Sequence, residues 1–296
     1  MNLRMHLDPI RKGEMYIFFE AALWGLFPVI TILTYSQLPP LFSAGIGSLI
    51  AAVFFAGIVT TRGRWHQFGR TTPWKEILTA SVLIGFFFYS FLFVGLKHTT
   101  AGNGSIVLLM EVFSSFVLLG FLLKHEPLIP VQMLGAACMV MGSLFILLPK
   151  ASGWHSGDVL ILIGTLFPPL GNRCIQQARL RISTECMMFV RSMVSGCLLL
   201  LLAWFTEPMP DGRTLHASLG FLLINGLLLL GYSKILWIEG IRFIPITKAI
   251  SIASIAPLCT LIFASLFLHE RVTTHQIFAL IPMIAGVYLL TRRQKN

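Results

Sequence analysis

Residues 122–142 read LLKHEPLIPVQMLGAACMVMG, and 144 positions later residues 266–286 read LFLHERVTTHQIFALIPMIAG. His125-Glu126 returns as His269-Glu270, Gln132 as Gln276, Met139 as Met283 and Gly142 as Gly286, so one register holds across a whole apolar hairpin. A repeat at fixed spacing means that the chain is a duplicated unit. Each copy is embedded in long apolar runs, which makes the repeat a membrane one, and inverted membrane repeats are how many transporters are built.

Composition decides the solvent. Of 296 residues, 56% are hydrophobic and 11% charged, with a mean hydropathy of +0.81. That leaves too little polar surface to coat a soluble globule. A hydrocarbon core of about 30 Å needs roughly 20 helical residues, and ten runs meet that need: about 16–34, 41–61, 76–96, 100–123, 129–148, 157–177, 185–205, 216–237, 247–268 and 274–291. A β-barrel is excluded because its strands alternate polar and apolar residues, whereas LFSAGIGSLIAAVFFAGIVTT (41–61) is apolar on every face. The first run follows Arg4, Arg11 and Lys12 without a small-residue cleavage site, which reads as a retained helix.

The net charge of +10 is explained by its distribution and calls for no nucleic-acid partner. With the N-terminus in the cytoplasm and ten helices alternating, Arg4, Arg11, Lys12, Arg62, Arg64, Arg70, Lys75, Lys124, Arg179, Arg181, Arg242, Arg292, Arg293 and Lys295 lie inside. Only Lys97, Lys150, Arg213 and Arg271 lie outside. This is the positive-inside pattern, and it puts both termini in the cytoplasm. The expected fold is therefore an all-α membrane protein of ten transmembrane helices in two five-helix repeats, 1–150 and 151–296. A unit of five helices enters one face and leaves by the other, so the second copy is inverted, and the protein is multi-pass in an inner or plasma membrane.

Ionisable groups inside a span cost about 2.5–3.5 kcal/mol even on the lenient insertion scale, so each is a functional hypothesis. Six stand in the runs: Glu20, Glu111, Arg173, Arg191, Lys234 and Lys248. Arg173, Lys234 and Lys248 are each near a helix end and could snorkel; Arg191 lies about two turns into helix 7. Glu111 is mid-helix and too short to snorkel, and Asn103, Val107, Glu111 and Ser114 or Ser115 share one helical stripe. It reads either as a substrate or proton-coupling carboxylate, or as half of a static pair with Arg173 or Lys234. Glu20 stands one turn before Trp24, placing a carboxylate beside a ring as an ammonium site requires, or else marking an interfacial anchor. Tyr89, Tyr232 and Trp237 are candidates to extend that aromatic lining. In helix 6, Pro168-Pro169 breaks the backbone pattern ahead of Asn172, Arg173, Gln176 and Gln177, a face suited to a polar substrate end, with Arg173 matching a carboxylate. Ala44, Ser48, Ala52 and Ala56, at four-residue spacing in helix 2, read as a packing stripe.

Other chemistries lack residues. Neither His-Glu pair continues as HExxH, since Ile129 and Thr273 occupy the last position, and no GxSxG or phosphate loop is present. No ring of like residues offers a channel filter. The five cysteines have no paired spacing and read as packing residues, with no metal, cofactor or disulfide implied.

Trp24-Gly25, GLKHTTAGN (95–103), SGDVLILIGTLFPPLGN (156–172) and the two hairpins together resemble the EamA-type family of the drug/metabolite transporter superfamily, over nearly the whole chain. The resemblance implies a central cavity lined by helices 1, 3, 4, 6, 8 and 9, with 5 and 10 peripheral, and export of amino acids, amines or drug-like compounds. Pro257 fits the family's mid-helix proline, whereas helix 4 has Phe113 there and the unexpected Glu111. The expected function is a secondary transporter, first of amino acids and alternatively of organic cations, with Glu20, Trp24, Tyr89, Asn103, Glu111, Asn172, Arg173, Gln176, Tyr232 and Lys234 as candidate substrate contacts and with possible proton coupling. An intramembrane enzyme or a channel is the weaker reading.

Overall fold

The computed structural model describes residues 8–35, 37–69, 71–118, 130–147, 155–244 and 246–291, without the side chains of Ile246, Thr247, Lys248, Ser251 and Thr291. Eight helices are long and apolar enough to cross a membrane: α1 (Pro9–Thr34), α2 (Pro40–Thr61), α3 (Trp74–Lys97), α4 (Ala101–Leu118), α5 (Pro130–Leu147), α6 (Ser156–Ala178), α7 (Thr184–Thr206) and α8 (Gly212–Phe243). Three more follow: α9 (Ile246–Ala253), α10 (Ala256–Phe267) and α11 (Thr274–Thr291). The ninth expected span is thus two pieces, α9 and α10, parted at Ser254-Ile255 just before Pro257. His125, Glu126 and the side chain of Lys248 lie outside the described residues.

Packing respects the duplication. Helix α2 pairs with α7, and α5 with α11; α1 crosses α8 as α6 crosses α3. Both self-equivalent pairs run antiparallel: Gly135 meets the Gly286 carbonyl while Gly142 meets that of Ala279, and Gly45 meets Leu200 while Gly196 meets Leu49. Small residues allow this approach, because helices in lipid associate by van der Waals contact and not by burying surface from water. Of the four-residue stripe on α2, Ala44, Ser48 and Ala52 are buried and Ala56 is half-buried.

Prolines begin helical pieces more often than they interrupt them. Pro168 and Pro169 open the second part of α6, which stops at Gly164 and restarts at Phe167, and Pro257 opens α10. At a first turn the missing N–H is no loss. At the break the Thr165 hydroxyl donates to the Leu162 carbonyl at 2.7 Å. Helix α4 breaks at Leu109 with no proline at all. In both copies the third helix contains a π-helical stretch, Ser81–Phe88 in α3 and Ile224–Tyr232 in α8. Such stretches are rare and gather at functional sites.

Helix starts are capped across the repeat boundary. The Glu207 carboxylate at the end of α7 accepts the Leu41 and Phe42 N–H groups of α2, each at 2.9 Å. His269, in the left-handed conformation (φ 54°), ends α10, and the Glu270 carboxylate accepts from Ala101 N (3.0 Å) and Gly102 N (3.4 Å) of α4. Uncompensated N–H groups at a helix start favour a carboxylate by hydrogen bonding and by the helix dipole.

Candidate functional site

The α1–α8 crossing places opposite charges in the bundle. Gly13 and Gly240 bring the two backbones together, so that Glu20 on α1 and Lys234 on α8 meet about two turns further on. Lys234 Nζ lies 3.3 Å from Glu20 Oε1 and 3.6 Å from the centroid of the Trp24 ring. Glu20 is buried, at 4% exposure. Trp24 in turn stacks on Phe27, with centroids 4.6 Å apart and planes 12° from parallel. A carboxylate on one side and an indole face on the other make a cage for an ammonium, and the occupant is the protein's own lysine.

A second carboxylate lies within range of that lysine's charge. Glu111 lies on α4 just past the break at Leu109, and its Oε1 accepts from Asn172 Nδ2 on α6 at 3.3 Å. The Lys234 charge acts on Glu111 as well as on Glu20. Near it, Ser114 and Thr165 join α4 to α6 through their hydroxyls at 3.2 Å. Glu20, Trp24, Lys234, Glu111 and Asn172 thus form one electrostatic unit across α1, α4, α6 and α8, in which Glu111 pairs with a neutral amide and not with Arg173.

Other candidates lie elsewhere. Asn103 belongs to a buried network at the start of α4: Nδ2 donates to Asp158 Oδ2 at 3.1 Å, Oδ1 accepts from Gln276 Nε2 at 2.9 Å, and the Thr99 hydroxyl donates to Asp158. This joins α4, α6 and α11 beside the Glu270 cap. Tyr89 is buried, with its ring 6.0 Å from Phe93, which packs edge-on against Phe27 at 5.5 Å. It is therefore linked to Trp24 through aromatic contacts. Tyr232 is 45% exposed, Gln176 is exposed and Arg173 is half-buried without an ion pair among the described residues. A cavity of about 490 Å³ opens at one end of the bundle beside Tyr35, Lys97, His98 and Glu207, apart from the charged unit.

Sequence reading expects Glu270 to cap the helix that it closes, the ninth; its carboxylate instead caps the start of α4, and the Asn103–Asp158–Gln276 network is what sequence reading missed. The doubled His-Glu drew attention to the glutamate, but its partners are backbone groups of the opposite repeat, and no pattern along the chain announces those. No group of three or more His, Cys, Asp or Glu side chains is placed to hold a metal ion among the described residues.

Comparison with known proteins agrees with the duplicated fold. The model of the EamA-like transporter family matches twice, at residues 11–148 and 155–292. The chain is 24% identical to the Bacillus subtilis (strain 168) protein named Uncharacterized transporter YoaV, over 95% of this chain and 97% of that one. It is 24% identical to Protein PecM of Dickeya dadantii (strain 3937), over 96% of each. A solved crystal structure superposes with a TM-score of 0.67 at 16% identity, covering 94% of this chain and 96% of that one, a likeness of fold. With two family matches spanning nearly all of a many-helix apolar chain, the protein belongs to the EamA-like transporter family and is a multi-pass membrane transporter.

Proposed function

We propose that the protein is a secondary transporter that exports small metabolites carrying an ammonium group, first among them amino acids. It would work by alternating access of two inverted five-helix halves, 1–150 and 151–296, with both termini cytoplasmic. The observation that carries the proposal is the Lys234 ammonium held between Glu20 and the Trp24 face. A buried cage already fitted to one primary ammonium is fitted to another, and the substrate amine competes with the lysine for it. The antiparallel self-pairing of α2 with α7 and of α5 with α11 supports the inversion, because two equivalent antiparallel helices are related by an axis across them. Ten spans follow if α9 and α10 together make the ninth and α11 the tenth.

Export proceeds as Lys234, released from Glu20 by the incoming amine, moves its charge toward Glu111. Glu111 then serves as the proton-coupling carboxylate. Organic cations are the second reading, favoured by the engagement of Lys234 with Glu20, which leaves that lysine unavailable to a carboxylate. Reconstituted into liposomes, the protein should carry labelled amino acids in proportion to an imposed pH gradient, and Glu111→Gln should abolish the gradient dependence. Flux indifferent to the gradient in the unmodified protein would remove Glu111 from the coupling step.

A further inference from the structure

Arg191 on α7 is 8% exposed, and no carboxylate lies within ion-pairing distance of it among the described residues. A charge buried without a counter-ion is expensive, and removing one partner from a buried pair shows how strongly such a group seeks another. It lines a narrow cleft that is closed here, with no room for a water molecule. Ser48 lines the same cleft, is 2% exposed, and has a hydroxyl with no hydrogen-bond partner. A lone buried cation and an unsatisfied donor therefore converge on one space.

The position of the cleft is as informative as its chemistry. Ser192 stands 144 residues after Ser48 and Ser195 stands 144 after Ala51, the spacing of the sequence repeat, and all four line the cleft. Two pairs of repeat-equivalent residues can face one space only where the two halves meet about their common axis. In inverted-repeat transporters that is where substrates bind. Arg191 breaks the equivalence, because its counterpart is Gly47. Of the remaining walls, Tyr89 directly follows one π-helical stretch and Leu230 lies inside the other. Leu230 is one turn before Lys234, and Tyr89 reaches Trp24 through Phe93 and Phe27. The cleft is thus linked to the ammonium cage through α8 and a run of aromatic rings.

We infer that Arg191, with the Ser48 hydroxyl, forms a carboxylate-binding subsite on the axis between the two repeats. Resting on the amino-acid reading above, it supplies the pole opposite Glu20 and Trp24. The arginine fork matches a carboxylate with two parallel N–H donors, and Ser48 adds a third. The cleft is collapsed in this conformation, and the π-helical walls are the parts that must give as the group enters. Arg173, the arginine that sequence patterning favours, has no such enclosure.

The test uses the full chain purified in detergent, with acetate and ethylamine as minimal probes of the two poles and thermal unfolding as the readout. A ligand of the folded form raises the melting temperature in proportion to its occupancy. Acetate should stabilise the unmodified protein. Arg191→Gln should weaken acetate at least tenfold while leaving the ethylamine response unchanged, and Arg191→Lys should weaken it several-fold, since a point charge replaces the fork. Ser48→Ala, which removes an unpartnered hydroxyl and leaves the fold intact, should weaken acetate twofold to fivefold. Acetate that fails to stabilise the unmodified protein overturns the subsite, as does acetate affinity unchanged in both Arg191→Lys and Ser48→Ala. If acetate binds through Arg191 but no amine binds or is carried, the subsite stands and the amino-acid reading fails. If ethylamine alone acts, through Glu20, the amine reading stands and the subsite falls.

Discussion

The α1–α8 and α6–α3 crossings are two copies of one interface, and they have been put to different use. In the first, Gly13 approaches the Gly240 carbonyl and Ile17 covers Gly240; in the second, Gly157 approaches the Gly95 carbonyl and Ile161 covers Gly95. The scaffold of small residues is held in both. Two turns along, the first crossing carries Glu20 and Lys234; seven residues after Gly157 and six before Gly95 the second carries Gly164 and Tyr89, neither of them charged. Gly164 packs against Phe91 and Phe88, and Tyr89 is buried among aromatic rings. Duplication preserved the contacts that bring helices together, and charge was installed on one side only. A symmetric bundle thereby gains a polar site without spending a second buried ion pair on the other crossing.

The largest effects should come from the shared scaffold. A Cβ on Gly157 would lie 2.1 Å from the Gly95 carbonyl oxygen, an approach that neither backbone can relieve, whereas one on Gly13 would meet Phe243 Cβ at 2.8 Å. Gly157→Ala should destabilise by about 3 kcal/mol or more and leave little monodisperse protein on size exclusion, with Gly13→Ala milder. Equal tolerance at both glycines would break the equivalence of the crossings. Next is the asymmetric pair. Glu20→Gln should cost about 3 kcal/mol in thermal unfolding, because Lys234 loses its counter-charge. Adding Lys234→Met should restore most of the stability and none of the transport, a coupling that a double-mutant cycle reads directly. Full flux in the double variant would mean that the charged crossing is structural, like its twin.

Two smaller effects sharpen the comparison. Trp24→Phe keeps a ring but weakens its attraction for a cation by about 1 kcal/mol, so the apparent affinity for a transported amine should fall about fivefold while the melting temperature barely moves. A drop in stability without a change in affinity would assign Trp24 to packing. Glu270→Gln removes the charge that caps α4, at a cost of about 1 kcal/mol, and should lower the melting temperature without altering which substrates are carried. A change in selectivity would tie that cap to the site.

The helical membrane fold and its duplication are legible along the chain because both are properties of spacing: apolar length against bilayer thickness, and one offset kept from His125 to Gly286. Glu20 and Trp24 are legible as a pair for the same reason, being one helical turn apart. The count of spans is less so, since α9 and α10 are divided at Ser254-Ile255 and only together approach a span's length. The partner of Glu111 is not legible at all. Asn172 reaches it because α6 stops at Gly164 and restarts at Phe167, and that break sets the rotation of the second piece.

By itself, the sequence determined the solvent, the class of fold, the twofold repeat and the short roster of charges that lipid would not tolerate unaided. Tertiary structure alone decided which of those charges meet. Lys234, which could have snorkelled to a headgroup, is drawn onto Glu20 and Trp24 by a crossing of two glycines, and Arg191 is left facing a closed cleft that it shares with Ser48. Burial and the cost of an unpaired charge are set by neighbours distant along the chain, so no local pattern could have distinguished the two. The doubled His-Glu hairpin revealed the repeat; the departures from that repeat hold the chemistry.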